Sequence, residues 1–292
     1  MGETVDLAHL QQWVGRQTVQ EDEITAFPMR ALKATLESPQ VGDGDPGDVL
    51  PPLWHWLYFL PLDRQSLLGP DGHARRGGFL PPVALPRRMW AGGRFGFMAP
   101  IRVGERISRS STVWSVKGKS GRSGSLVFVT VRHQFHVGEA VRMWEEHDIV
   151  YREMPRPGEP LPAPVRPGEG AFRRVVVPDD VLLFRYSALT FNSHRIHYDR
   201  RYVSSVESYP GLVVHGPLIA TLLLDLIGRE MPDRIVTAFS FRALRPTFDG
   251  APFSLHGTPD ADGRAVRLWA CDGDGCQTME AMASLSAEAV AS

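Results

Sequence analysis

The run His215–Glu230, HGPLIATLLLDLIGRE, opens with a histidine and a glycine, then places Leu218, Ile219, Leu222, Leu223, Leu226 and Ile227 at helical spacing. An apolar face that broad predicts a helix over Gly216–Glu230, buried along most of its length. Four runs rich in β-branched and aromatic residues follow it: RIVTAFSFRALRPTF, APFSLHGTP, RAVRLWACD and CQTMEAMASLS. They read as consecutive strands. A helix lying on successive antiparallel strands is an α+β unit.

The same plan appears earlier in the chain. SRSSTVWSVKGK, GSLVFVTVRHQFHV and EAVRMWEEHDIVYRE read as strands, and EITAFPMRALKATLE, Glu23–Glu37, is the best helix before them, interrupted by Pro28. FMAPIRVGERISRSSTV and ALRPTFDGAPFSLHGTP share an apolar lead, a proline, a short strand and a glycine turn, with Pro100 and Pro246 about half a chain apart. The chain therefore reads as a duplicated α+β unit, each copy a curved antiparallel sheet on one long helix. Between the copies, EMPRPGEPLPAPVRPGEG holds six prolines and no apolar periodicity, which predicts a stiff linker. The expected division is 1–152, a linker over 153–170, and 171–292. After the linker, RRVVVP reads as a strand and DDVLLFRYSALT as a helix capped by Asp179 or Asp180.

Charge narrows the function classes. Lys+Arg 32 against Asp+Glu 33 leaves a net charge of -1, so no general basic field favours nucleic acid or acidic lipid. Apolar runs fall short of the ~20 residues a membrane helix needs. The N-terminal MGETVDLAHLQQWVGRQ resembles neither a secretory nor a transit leader, so a cytoplasmic protein is expected. Cys271 and Cys276 flank DGDG and read as reduced residues at the ends of a hairpin.

Chemistry concentrates between the two predicted helices, in TFNSHRIHYD, Thr190–Asp199. His194, His197 and Asp199 there raise a metal reading, but the segment is leaving a helix and Asp199 sits where it caps the next one, RRYVSSVE. No metal is expected. The stretch N-x-H-x-I-H-Y-D followed by YPGLVVHGPL resembles the MaoC-like hydratase/dehydratase group of the hotdog fold. That group carries D-x-N-P-x-H and, about eighteen residues on, H-G at the start of the hotdog helix. His197 stands at the signature histidine, Asn192 where the group has its aspartate, His194 and Arg195 at its Asn-Pro, and His215-Gly216 at its H-G. GGFLPPVALPRRMWAGGRFGF and EEHDIVYRE resemble the subgroup of mesaconyl-C4-CoA (3-methylfumaryl-CoA) hydratase, itaconyl-CoA hydratase and hydroxyacyl-thioester dehydratase type 2. The resemblance implies a double hotdog, packed as a pseudo-dimer, with one site built mainly by the second copy and an acyl-CoA between the copies. The first copy, lacking the motif, reads as degenerate.

Hydration of a 2-enoyl thioester needs a base for water attacking C3, donors for the charge on the thioester oxygen, and a proton for C2. His197 suits the proton transfers, and the Gly216 N–H, uncommitted at the first turn of a helix, suits the oxyanion. Asn192 cannot share base duty as an aspartate would, but its amide can hold the water in line. His194 is a second base or a substrate contact, and Arg195, Tyr198, His215 and Trp90 join the candidate substrate contacts. Arg242 and Arg245 either meet CoA phosphates or a substrate carboxylate, or are solvated strand-edge cations. Arg87, Arg88 and Arg94 carry the same pair of readings. Trp54, Trp56, Tyr58 and Phe59 in WHWLYF, at strand spacing, read as core or as an acyl pocket.

The expected activity is reversible hydration of a 2-enoyl-CoA, best a short branched dicarboxylic one, with no cofactor besides the substrate's coenzyme A. The expected partners are an acyl-CoA and a second copy in a homodimer, with no nucleic acid and no membrane. The alternatives are a dehydratase of longer 3-hydroxyacyl thioesters, a hotdog thioesterase, disfavoured because its carboxylate position carries Asn192 and Asp225 lies deep along the helix, and a catalytically silent acyl-CoA-binding hotdog.

Overall fold

The computed structural model describes residues 5–121, 124–153 and 163–286. The first half contributes strands β1 (Gln17–Glu23), β2 (Arg87–Phe97), β3 (Arg106–Gly121), β4 (Gly124–Val137) and β5 (Ala140–Arg152). The second contributes β6 (Phe172–Val176), β7 (Ile235–Ala243), β8 (Phe253–Pro259), β9 (Ala265–Cys271) and β10 (Gln277–Ser286). Residues 154–162 of the expected linker lie outside the described residues.

The two expected sheets are joined into one. Its order is β1-β3-β4-β5-β2-β7-β10-β9-β8-β6, so each half, read inward from its edge, repeats the same connectivity. The join is an antiparallel pairing of β2 with β7, from Gly92 opposite Arg242 to Gly96 opposite Ala238. Each half thus satisfies the inner edge of the other. Gly92 is required there, because a Cβ would sit 2.5 Å from the Phe241 carbonyl oxygen. Cys271 and Cys276 are buried and free, at the ends of a turn closed by the Asp272 N–H donating to the Cys276 carbonyl at 3.0 Å.

The helices are α1 (Leu7–Gln11), α2 (Ala26–Leu36), α3 (Asp180–Leu189), α4 (Arg200–Ser205) and α5 (Gly216–Glu230). Every residue of α5 from Leu218 to Ile227 is buried, against β6, β8, β9 and β10. Pro28 does not interrupt α2. It lies in the first turn, where its missing N–H has no intrahelical acceptor to lose. WHWLYF is no strand: Trp54–Leu57 forms a 3-10 turn that buries Trp54, with Tyr58 and Phe59 following it into the core. Leu53 and Phe59 flank the turn in the left-handed region, a conformation that aromatic content cannot forecast.

Asp225 ties the halves together. Its carboxylate, 2% exposed, accepts from Arg174 at 2.5 Å and Arg229 at 2.7 Å. It also accepts from Ser38 Oγ and Gln40 Nε2, each at 2.6 Å. Both arginines in turn donate to the Leu36 carbonyl, where positive charge suits the C-terminus of α2. Asp225, deep along α5, is therefore engaged in holding the fold.

Candidate active site

The motif loop is shaped by the helices on either side of it. Asp179 caps α3 by accepting from the Leu182 N–H, and α3 ends at Leu189. Phe191 then turns left-handed at φ 49°, and the Asn192 N–H returns to the Ser187 carbonyl at 2.8 Å. A short 3-10 turn, Arg195–His197, carries the chain to Asp199, which caps α4 through the Tyr202 N–H. The Val213 N–H donates to the Ile196 carbonyl at 3.0 Å, so the loop lies against the segment entering α5.

His197 is buried, and its Nδ1 is 2.7 Å from the Val213 carbonyl oxygen. A carbonyl can only accept, so Nδ1 carries the proton and Nε2 keeps its lone pair. Its ring stacks on His215 with centroids 3.7 Å apart and planes at 16°. His215 is fully buried, with Nε2 2.8 Å from Ser187 Oγ and Nδ1 without a hydrogen-bond partner among the described residues. Burial lowers the pKa of His197 to about 4, against the Val213 hydrogen bond, and pushes His215 well below the usual imidazole range. At neutral pH His197 is therefore a neutral base. Beside it, Gly216 opens α5 with Pro217 next, and a Cβ on Gly216 would meet no atom within 4 Å. Nothing in the fold demands glycine there. The open space is where a thioester oxygen can approach the helix N-terminus.

The other sequence candidates divide clearly. His194 packs edge-on to His197 at 5.5 Å, and burial lowers its pKa to about 2. Asn192 Oδ1 accepts from the His194 N–H at 3.0 Å, which commits its acceptor to the loop itself. Arg195 grips Asp199 from two nitrogens, lies 4.2 Å over the Tyr202 ring and donates to the Pro70 carbonyl, so it clamps the loop. Asp199, turned to Arg195 and the Tyr202 N–H, does not converge with His194 and His197 on a common point. Tyr198 is 45% exposed and bonds back to the Ser193 carbonyl. Arg242 is exposed and pairs with Glu280 at 2.8 Å, and the Arg245 N–H donates to the Thr278 carbonyl at 3.2 Å. Trp90 packs against His147 at 4.1 Å, and on Trp56 and Phe241 at the seam between halves.

The three arginines of the first half also separate. Arg87 pairs with Glu207 and covers Tyr209, and Arg94 is held by Glu146 and Asp148. The Arg88 charge favours the ionised Tyr151 phenol, against the effect of burial, and disfavours protonation of His73 and His194. Among the described residues it has no carboxylate at ion-pair distance.

Sequence reasoning missed Asp71 and His73, in GPDGHARRGG, Gly69–Gly78. The Asp71 carbonyl accepts from the Arg195 N–H at 2.9 Å, and the Gly72 carbonyl accepts from Ser193 Oγ at 2.6 Å. The His73 ring packs against His194 at 4.0 Å, tilted by 43°. The available signal was an Asp and a His in a long irregular glycine-rich stretch, the kind of loop that carries function on a rigid scaffold. Gly72 sets the contact: its φ is +90°, and a Cβ would lie 1.8 Å from the Ser193 carbonyl oxygen. Gly72→Ala is expected to lower kcat at least about tenfold while leaving the far-ultraviolet dichroism unchanged, because it displaces the motif loop from its docking partner. Steady-state kinetics beside a dichroism spectrum check this.

A ten-stranded duplicated sheet with a buried α5, and a buried histidine beside that helix's first residue, define a double-hotdog hydratase/dehydratase class. The chain belongs to the hydroxyacyl-thioester dehydratase type 2 family, whose profile matches residues 53–249. It is 49% identical to the mesaconyl-C(4)-CoA hydratase of Chloroflexus aurantiacus over 277 residues, 94% of this chain and 96% of that one. Solved structures share the fold. A MaoC-like dehydratase from Phytophthora capsici superposes with TM-score 0.70 at 12% identity, covering 99% of this chain and all of that one. A Mycobacterium tuberculosis protein with a double hotdog fold superposes with TM-score 0.57 at 15% identity, covering 94% of this chain and 96% of that one.

Proposed function

We propose that the protein adds water reversibly across the C2=C3 bond of 3-methylfumaryl-CoA (mesaconyl-C4-CoA), with itaconyl-CoA the nearest alternative substrate. The observation that carries this reading is the neutral His197 imidazole, Nε2 free, beside the open N-terminus of α5 at Gly216. The relative from C. aurantiacus, named for that substrate, supports the choice of acyl group. His197 Nε2 takes a proton from water as the oxygen bonds to C3. The C2=C3 electron pair moves to the thioester oxygen, where the Gly216 N–H and the helix dipole meet the charge. The enolate then takes the proton from His197 at C2, and the site returns to its starting state. Nothing beyond the coenzyme A of the substrate is needed.

In 3-methylfumaryl-CoA the free carboxylate is attached to C3, so a cation belongs beside the hydrated carbon. Arg88, near His73 and His194, is the group we assign to it. Arg88→Met is expected to raise KM for 3-methylfumaryl-CoA about 10- to 100-fold, the range for losing a charge-assisted hydrogen bond. Turnover of crotonyl-CoA, which has no second carboxylate, should change little. The test follows loss of enoyl-thioester absorbance for 3-methylfumaryl-, itaconyl-, crotonyl- and octenoyl-CoA with both proteins. A parent protein that prefers octenoyl-CoA would put the longer-chain dehydratase in place of this reading. A cytoplasmic homodimer completes the proposal. No helix among the described residues is long and apolar enough to cross a membrane.

A further inference from the structure

The family motif has an aspartate where this chain has Asn192, and the Asn192 acceptor is taken up by the His194 N–H. The first half brings a different acidic group, Asp71, onto the motif loop. Its loop is fixed on the motif by three bonds: the Arg195 N–H to the Asp71 carbonyl at 2.9 Å, Ser193 Oγ to the Gly72 carbonyl at 2.6 Å, and Arg195 to the Pro70 carbonyl at 3.0 Å. Within it, Asp71 accepts from His73 twice, from the backbone N–H at 3.1 Å and from Nδ1 at 3.0 Å. The His73 ring lies against His194 at 4.0 Å, and His194 lies against His197 at 5.5 Å.

This arrangement defines the tautomer of His73. A carboxylate accepts, so Nδ1 carries the proton and Nε2 is left as an acceptor, as at His197. Burial opposes the ionised form of Asp71, but the hydrogen bonds from the His73 ring and backbone N–H hold its carboxyl well below the usual carboxylate range. Burial also keeps His73 toward neutral, against the pull of Asp71. His73 and His197 thus lie on two sides of His194, one from each half of the chain, and neither Nε2 has a hydrogen-bond partner among the described residues.

We propose that His73, oriented by Asp71, is a second catalytic residue that accepts one hydrogen bond from the attacking water while His197 takes the other proton. This rests on the hydratase reading above. Water has two O–H bonds, and donating both leaves an oxygen lone pair aimed out toward C3. The balance of the reaction is unchanged: the O–H on His197 breaks as O–C3 forms, that proton ends at C2, and the second O–H becomes the hydroxyl of the product. His73 never needs to become charged. Asp71 acts through His73 as a positioning residue, since without it the imidazole can place its proton on Nε2 and turn a donor toward the water.

The test compares the parent with His73→Gln, His73→Leu and Asp71→Asn on 3-methylfumaryl-CoA, with kcat, KM and thermal midpoint measured for each. His73→Leu and Asp71→Asn are expected to lose about 100-fold in kcat, the scale set by misplacing a reacting group, with KM changed less than about threefold. His73→Gln, whose amide oxygen still accepts, should recover part of that loss. A purely structural loop would show no such rescue and would move the thermal midpoint along with kcat. Equal kcat in all four proteins would overturn the proposal. So would activity abolished by a chelator and restored by zinc, because Asp71, His73 and His194 offer ligand atoms within 4.8 Å of one another. Absence of turnover in the parent would instead reject the hydratase reading itself, and this inference with it.

Discussion

His197→Ala is expected to lower kcat about a thousandfold with KM little changed, the scale for removing a general acid–base group. In the proposed mechanism this residue handles the proton both from water and to C2, so its loss is expected in the chemical step and not in binding. The variant keeps His215, whose ring is anchored independently through Ser187 Oγ. The parent's pH profile follows from the same environment. His197 works as a base only when neutral, so kcat/KM should hold steady through neutral pH and fall as pH drops through about 4, where the ring protonates. The sign for stability is the same. With the folded pKa below the unfolded value of ~6.5, the unfolded chain binds more protons between the two, and stability is lost as pH falls through that window. For His197 alone the loss amounts to about 3 kcal/mol. Kinetics and chemical denaturation across pH 4 to 8 check both.

Asp225→Ala is expected to cost about 3 kcal/mol, because it leaves Arg174 and Arg229 together without their carboxylate and frees Ser38 and Gln40. For a chain of this size that corresponds to a fall of about 6 °C or more in thermal midpoint. Asp225→Asn should lose less, since the amide oxygen still accepts. Activity measured well below the new midpoint should stay close to the parent's. A thousandfold loss of activity with stability intact would contradict this structural role for Asp225. Calorimetry and assays on the same preparations separate the two.

The second half was the more legible in the sequence, for a physical reason. The α5 core positions repeat at helical spacing, and the strands after it are short and apolar, so local pattern and tertiary role agree. Asp179 and Asp199 are caps whose bonding partners lie three residues away. The elements that were not legible depend on distant partners. β1, QTVQEDE, is almost wholly exposed and is a strand only because β3 pairs with it. β2 is rich in glycine, which reads as loop until β7 lies against it with its Phe241 carbonyl over Gly92. The site divides in the same way. His197, His215 and Gly216 follow from the motif, whereas His73 reaches His194 across a stretch of chain that no periodicity spans. The first half, which lacks the motif and reads as degenerate, nevertheless carries Asp71 and His73 onto the motif loop.

The measurement that bears most directly on the central claim is the time course of enoyl-thioester absorbance when purified protein meets 3-methylfumaryl-CoA in large excess. The predicted result is a fall to a constant equilibrium level, at a rate proportional to protein concentration, with one 3-hydroxyacyl-CoA as product. Binding of the thioester with unchanged absorbance, at every protein concentration, would contradict it and leave a hotdog that holds acyl-CoA without hydrating it.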